Sequence, residues 1–405
     1  MSTKDLLRNG NFRAFIGASA LAQLGSGVFS LAFPWLASLL TRDPLLIGAV
    51  AMAPQLPWLF FALPAGVWTD RLDHRRTIIL GNLIHAGLAL AVLALALLAQ
   101  PGTAAIWGLF ALAFLQGSND VLRDNTAQTI LPQVVPKDRL EAANAALQTS
   151  ENMMWQFAGP PLAGALIALS SALPFAFEAA MLVAASLLMA AVRPAAAPRA
   201  APQSFLPALR EGLAWLWANP PLRRLAMVLG AYNFLYQVIW SVMVLFAQDA
   251  LGLGPVAYGS LLSALALGGL AGGLAAPWIL ARVGVRAGLL MSVAGFCLST
   301  TVLIFTRDPW LAGAALFGDA FTSMTWNVAT VSYRQRHIPA PLLGRVNSVY
   351  RWLGSGPRPF GSLLGGALVA WGQPWGDWAL HLPFAFATLG GVLMLAYSAR
   401  ALRFD

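Results

Sequence analysis

Charge is what this chain has least of. Asp, Glu, Lys and Arg together make up 10% of its 405 residues, against about 25% in a soluble globular domain, while 58% are hydrophobic. A water-soluble domain of this size is excluded. Lysine is nearly missing: only Lys4 and Lys137 are present, neither follows the Gly-rich run of a phosphate-binding loop, and no ATPase engine is encoded. The single cysteine, Cys297, lies inside an apolar run, which rules out a disulfide framework and reads as a packed core thiol. His74, His85, His337 and His381 are dispersed without metal-ligand spacing, and no nucleophile–base set is evident. No metal, no cofactor and no enzymatic activity are expected. The formal charge of +9 is spread between apolar runs rather than clustered on one face, so the expected partner is a bilayer with anionic headgroups and not nucleic acid.

What the chain does have is long apolar runs. A spanning helix needs about 20 mostly apolar residues. Breaks at Pro, Gly and charge divide the sequence into twelve such segments, at 14–40, 45–67, 77–99, 103–122, 143–169, 173–192, 222–247, 256–280, 287–306, 309–331, 345–371 and 379–399. The first run is too long for a cleavable signal peptide and is expected to be the first span. Positive charge tests the count, because cytoplasmic loops hold the Lys and Arg. Of the 25, Arg42 and Arg307 fall on the outer side and Arg358 within a segment, leaving 22 at or near the inner side. Both termini are therefore expected in the cytoplasm.

The Pro/Ala stretch from Arg193 to Pro202 is the natural linker between two halves. It leads into residues 205–217, where Leu206, Leu209, Leu213, Leu216 and Trp217 form one apolar stripe beside Arg210 and Glu211, the pattern of an amphipathic helix on the inner surface or of a helical lead-in to segment 7. The expected organisation is an N-terminal bundle at 1–192, a linker with this helix at 193–221 and a C-terminal bundle at 222–405. The halves repeat each other. Residues 9–13 align with 219–223, Arg71 and Arg75 with Arg282 and Arg286, and Gln128 and Pro132 with Gln335 and Pro339, at offsets of 207 to 211.

Two kinds of polar site stand out. The first is the charged turn after segment 2, where Gly66 and Asp70, one helical turn apart, place a carboxylate at a close helix contact beside Arg71, Arg75 and Arg76. Asp120, Arg123 and Asp124 near the inner end of segment 4 are its expected partners in an inner gate. The second copy has Ala281 where Asp70 stands, so the gate is asymmetric. The second kind is a set of polar stripes at helical spacing, expected to face a cavity because polar groups in lipid are costly. Segment 4 carries Gln116, Asn119, Asp120 and Arg123. Segment 5 carries Gln148, Glu151, Asn152 and Trp155, and segment 7 carries Asn233, Tyr236, Gln237 and Trp240. Segment 10 has Asp319, Thr322, Ser323 and Trp326; segment 11 has Arg351, Ser355 and Arg358; segment 1 is milder, with Gln23, Ser26 and Ser30. Segments 3, 6, 9 and 12 lack a stripe. Asp319 is expected to pair with Arg358, either for function or only to staple two helices, with Glu151 left to face substrate or titrate. Glu178, near the outer end of segment 6, is expected either to titrate or, on a helix without a stripe, to make a local hydrogen bond. Gly159-Pro160 and Gly356-Pro357 are expected helix bends.

Gly-x-x-x-Asp-Arg-x-x-x-Arg-Arg at 66–76 resembles the loop 2-3 signature of the major facilitator superfamily. Asn9-Gly10-Asn11-Phe12-Arg13, Leu31 to Leu36, Arg123-Asp124-Asn125 through Leu131-Pro132, and Leu343 to Asn347 extend the resemblance over essentially the whole chain. Together they are similar to the exporter branch that holds the enterobactin exporter and macrolide efflux proteins. That resemblance implies an all-α integral membrane protein with twelve transmembrane helices in two six-helix bundles, in which every third helix is peripheral. It also implies alternating access driven by protons, export of small amphipathic molecules of drug or siderophore type, residence in a bacterial inner membrane, and a monomer. Gly159-Pro160 is similar to the helix 5 motif of proton-driven antiporters. Ser26 stands where relatives often place an acid, and Ala113 where drug antiporters have an Arg. The residues by themselves also admit an uptake permease for a small metabolite or, against the polar stripes, a membrane sensor or scaffold.

Overall fold

The structure, a computed structural model, describes Leu6 and residues 8–61, 72–136, 139–195, 205–339 and 342–402. Among the described residues all regular structure is helical, the form that lets an apolar run satisfy its backbone hydrogen bonds internally in lipid. In chain order the helices are α1 (Gly10–Leu40), α2 (Pro44–Met52), α3 (His74–Leu98), α4 (Thr103–Val134), α5 (Leu140–Asn152), α6 (Gly159–Leu169), α7 (Leu173–Ala191), α8 (Phe205–Ala218), α9 (Pro220–Trp240), α10 (Pro255–Phe305), α11 (Pro309–His337), α12 (Leu343–Ser355), α13 (Arg358–Gly372) and α14 (Leu382–Ala401). By length and composition, seven described helices could cross a membrane, or eight if the bent pair Pro220–Trp240 and Met243–Ala250 counts as one span.

Local chemistry sets where these helices begin. Asn9 Oδ1 accepts from the Asn11 and Phe12 amides, Asp43 from Leu45, Asp73 from Arg76 and Asp308 from Trp310, so short polar side chains cap exposed N–H groups. Pro44 and Pro309 follow their caps at the first helical position, where a missing N–H costs nothing. The 51-residue α10 would run about 76 Å if straight, more than twice an apolar bilayer core. Gly284, with φ +78°, breaks it in two, at a backbone angle that only glycine adopts readily.

The chain forms two compact units. One contains residues 1–41, 56–202 and 255–260; the other contains 42–55, 203–254 and 261–405. Within the first, α1 packs on α6 and α7, and α3 packs on α4 and α7. Gly27 allows a close approach, since a Cβ there would lie 2.6 Å from the Trp155 carbonyl oxygen. Phe12, Phe15, Ile130, Leu131, Met189 and Val192 close one end of this unit as an apolar cluster. Within the second, α9 packs on α12, α13 and α14, and α2 packs on α13.

The aligned arginines occupy matching places. Arg75, at the start of α3, donates from Nε to the Met189 carbonyl at 3.3 Å and from Nη2 to that of Ala190, at the end of α7. Arg286, 211 residues later, donates to the Ala399 carbonyl at 2.6 Å, at the end of α14. Each donates to carbonyls in the last turn of a helix, where positive charge is favoured.

Candidate functional site

The densest polar cluster lies in the first unit, where α3, α4 and α7 meet. His85 on α3 is its centre and is only 2% exposed. Its Nδ1 lies 3.0 Å from Asp120 Oδ1 and 3.1 Å from Arg123 Nη1 on α4. Its Nε2 lies 3.0 Å from Glu178 Oε1 on α7 and contacts Gln116 Nε2 on α4. Arg123 continues the cluster, reaching Asp120 at 3.4 Å through Nη2 and Asp124 at 3.1 Å through Nε. Asn119 donates to the Gly81 carbonyl at 3.0 Å and fixes α4 against α3. Phe29 of α1 lies edge-on to the imidazole with ring centroids 6.3 Å apart.

The i, i+3, i+4, i+7 spacing of Gln116, Asn119, Asp120 and Arg123 puts all four on the face of α4 that meets α3. One buried charge in hydrocarbon costs at least about 2.5–3.5 kcal/mol on insertion scales, so the ionisable residues of three apolar helices converge. The acids are graded in exposure. Glu178 is fully buried, whereas the side chains of Asp120 and Asp124 are 25% and 39% exposed.

Asp120, Arg123 and Asp124 are engaged with one another and with His85, and among the described residues not with Arg75 or Arg76. Arg75 is turned to the end of α7, and Arg76 pairs with Asp73 at 3.8 Å. Gly66, Asp70 and Arg71 lie outside the described residues. Glu178 makes its hydrogen bond to His85 on α3 rather than locally, so segment 3 supplies the central histidine of this cluster. Segments 3 and 6 are both without a polar stripe. The missed signal was available: within 77–122 the only ionisable side chains are His85 and Asp120, and within 173–192 the only one is Glu178. Three lone ionisable groups on apolar helices each need a partner from another helix.

Elsewhere in this unit, Ser19 Oγ on α1 donates to Glu151 Oε1 at 2.5 Å on the half-buried face of α5. Gln148 and Asn152 flank Glu151 and are exposed. A π-helical turn, Met153–Ala158, separates α5 from Gly159-Pro160 at the start of α6.

The second unit has a different polar site. Tyr232, Tyr236 and Trp240, one turn apart on α9, form a column with centroids 5.9 and 5.4 Å apart. Asp319 on α11 is buried and accepts from the Tyr232 hydroxyl at 3.5 Å. Arg358, at the start of α13, donates to Asn233 Oδ1 at 3.3 Å, and the Asn233 amide donates to the Gly354 carbonyl at 2.9 Å. The expected Asp319–Arg358 ion pair is therefore not formed. Adjacent α9 residues, Tyr232 and Asn233, each take one of the two side chains. Gln237 is half-buried on the same helix, and Trp326 is buried on α11. Gly356 and Pro357 form the turn that separates α12 from α13.

The family match over the whole chain, together with the helical fold, makes this a membrane transporter of the major facilitator class. A mutant form of the nucleoside transporter NupG superposes with a TM-score of 0.79 at 14% identity, covering 97% of this chain and all of that one. A bacterial homologue of the iron transporter ferroportin, inward-facing, gives 0.76 at 16% identity, with 98% and 100% covered. Within that class the chain belongs to the family described as transmembrane secretion effector, which it matches over residues 1–404. It is 29% identical to the multidrug efflux pump Tap of Mycolicibacterium fortuitum over 373 residues, covering 89% of this chain and 90% of that one. It is 28% identical to Tap of Mycobacterium tuberculosis, with 87% and 85% covered. The protein is a multi-pass membrane transporter and not an enzyme.

Proposed function

We propose that this protein exports small amphipathic molecules, of drug or siderophore type, from the cytoplasm by alternating access and proton antiport. The observation that carries this reading is the family membership together with near full-length similarity to proteins named multidrug efflux pumps. In this reading twelve spans form two six-helix bundles, at 1–192 and 222–405, joined by the linker 193–221. The protein sits as a monomer in a bacterial inner membrane with both termini in the cytoplasm. The column of Tyr232, Tyr236 and Trp240, with Asn233, Gln237 and Arg358 beside it, supplies flat aromatic faces and a few polar groups, as suits planar amphipathic ligands. Gln148, Glu151 and Asn152 are the first unit's candidate groups for substrate or proton, and Asp319 and Trp326 are further candidates in the second unit. Gly66, Asp70, Arg71, Arg75 and Arg76 form the inner gate, and the breaks at Gly159-Pro160 and Gly356-Pro357 let helices flex.

The test is efflux of ethidium, acriflavine and pyronin Y from cells expressing the protein, with and without a protonophore. Efflux of at least one dye that stops when the protonophore is added supports proton-driven export. Accumulation of dye above the control would assign uptake, and efflux unaffected by the protonophore would remove proton coupling.

A further inference from the structure

The cluster around His85 has a property that an ordinary structural ion pair lacks. Each ring nitrogen faces one acceptor and one donor. At Nδ1 they are Asp120 Oδ1, at 3.0 Å, and Arg123 Nη1, at 3.1 Å. At Nε2 they are Glu178 Oε1, at 3.0 Å, and the Gln116 amide nitrogen. A protonated ring nitrogen can donate to its carboxylate, and a bare one can accept from its arginine or amide. Losing a proton therefore strands no polar atom, whereas an unsatisfied buried group would cost about 1–3 kcal/mol.

Resting on the antiport reading above, we infer that His85, held between Glu178 and Asp120, is the group that takes up and gives up the coupled proton. In the loaded form the imidazolium donates from Nδ1 to Asp120 and from Nε2 to Glu178, and with Arg123 and Asp124 the cluster carries one net negative charge. On release the Nδ1–H bond breaks and an O–H bond forms on Asp120, whose side chain is 25% exposed. Asp120 then passes the proton to water. The Nδ1 lone pair accepts from Arg123, Nε2–H stays with Glu178, and the cluster carries two net negative charges. The groups facing the imidazole are Asp120, Arg123 and Gln116 from α4, Glu178 from α7 and the uncharged Phe29 from α1. Both partners of Nδ1 come from α4. A small shift of that helix against α3 exchanges acceptor for donor, which ties the proton count to helix position. Glu178 Oε2 is buried without a hydrogen-bond partner among the described residues, so this fully enclosed acid works as the fixed counter-charge and Asp120 as the exit.

The experiment uses purified full-length protein in proteoliposomes, with the best exported of the three dyes as probe. Uptake driven by an imposed pH gradient is compared with dye exchange at zero gradient, for wild type, His85→Gln and Glu178→Gln. The expected result is a loss of gradient-driven transport of about tenfold or more, with zero-gradient exchange kept within about threefold, since exchange needs no net proton transfer. Gradient-driven transport retained in His85→Gln would overturn the inference while leaving proton antiport intact. A wild type that exchanges dye but ignores the gradient would instead overturn the antiport reading. A second measurement covers a variant that fails to fold. In 15N-histidine-labelled wild type only four imidazoles are present, and one of them should change protonation when dye binds. No change in any of the four would overturn the inference.

Discussion

The two units treat their buried acids in opposite ways. In the first, Glu178, Asp120 and Asp124 share one histidine and one arginine through contacts of 3.0 to 3.4 Å. In the second, Asp319 has a single long hydrogen bond from a tyrosine, and the nearby Arg358 is tied to an amide. One site is saturated with charge-assisted contacts and the other is sparse and aromatic. Saturation suits a group that must change its charge inside a fixed shell, because every state needs partners. Sparse polarity around stacked rings suits a surface that must accept unlike ligands, because few directional bonds have to be matched.

The contrast breaks most readily at Arg123. Removing it leaves Asp124 without its cation and Asp120 with His85 alone, and breaking a buried charge network in this way costs about 3–5 kcal/mol. Arg123→Ala is therefore expected to fall far below wild type in thermal stability in detergent, measured by fluorescence-monitored size exclusion. An equal loss from Asp319→Asn would contradict the division of labour, since that change touches one weak hydrogen bond.

Gly27→Val probes the packing under the first site. Its added side chain meets the Trp155 carbonyl and the Cα of Gly159, and overpacking of this kind costs about 1–3 kcal/mol. The expected outcome is a lower melting temperature with the same dye selectivity. A stability equal to wild type would show that α1 and α6 separate easily.

On the aromatic side, Trp240→Ala should leave thermal stability close to wild type and raise the apparent KM for planar dyes by about five- to thirtyfold, the equivalent of losing about 1–2 kcal/mol of ring contact. A change confined to the maximal rate would place Trp240 outside the ligand's reach. Removing only the hydroxyl of the neighbouring ring, Tyr232→Phe, should cost no more than about 1 kcal/mol of stability.

How far the sequence could be read follows the same division. The fold was legible because hydropathy and the placement of Arg and Lys are one-dimensional signals, and lipid leaves helices as the answer. The α9 stripe was legible too: Asn233, Tyr236 and Trp240 lie three or four residues apart, and helical periodicity alone puts them together. The His85 cluster was not, because its members come from three helices and two of them, His85 and Glu178, are solitary in their own segments. Periodicity cannot rank a solitary residue. Only the cost of leaving it unpaired in lipid can, and that argument links segments without saying which ones touch. The same limit explains Asp319 and Arg358, whose opposite charges suggested a pair although α9 offers each a different partner.

The smallest expected effect tests the duplication against the gate. Arg75 and Arg286 occupy equivalent positions and cover the last carbonyls of α7 and α14. If that is all they do, Arg75→Gln and Arg286→Gln should each cost no more than about 1 kcal/mol, because a cation at a helix C-terminus contributes about 0.3–1 kcal/mol. Their transport rates should then stay equal. The sequences beside them differ, however: the first copy has Asp70 where the second has Ala281. Only the first copy thus carries a carboxylate five residues before its arginine, a group that could serve Arg75 as a second partner during the transport cycle. Slower transport in Arg75→Gln than in Arg286→Gln, at matched stability, is the expected outcome, and equal rates would reduce the charged turn to a helix cap.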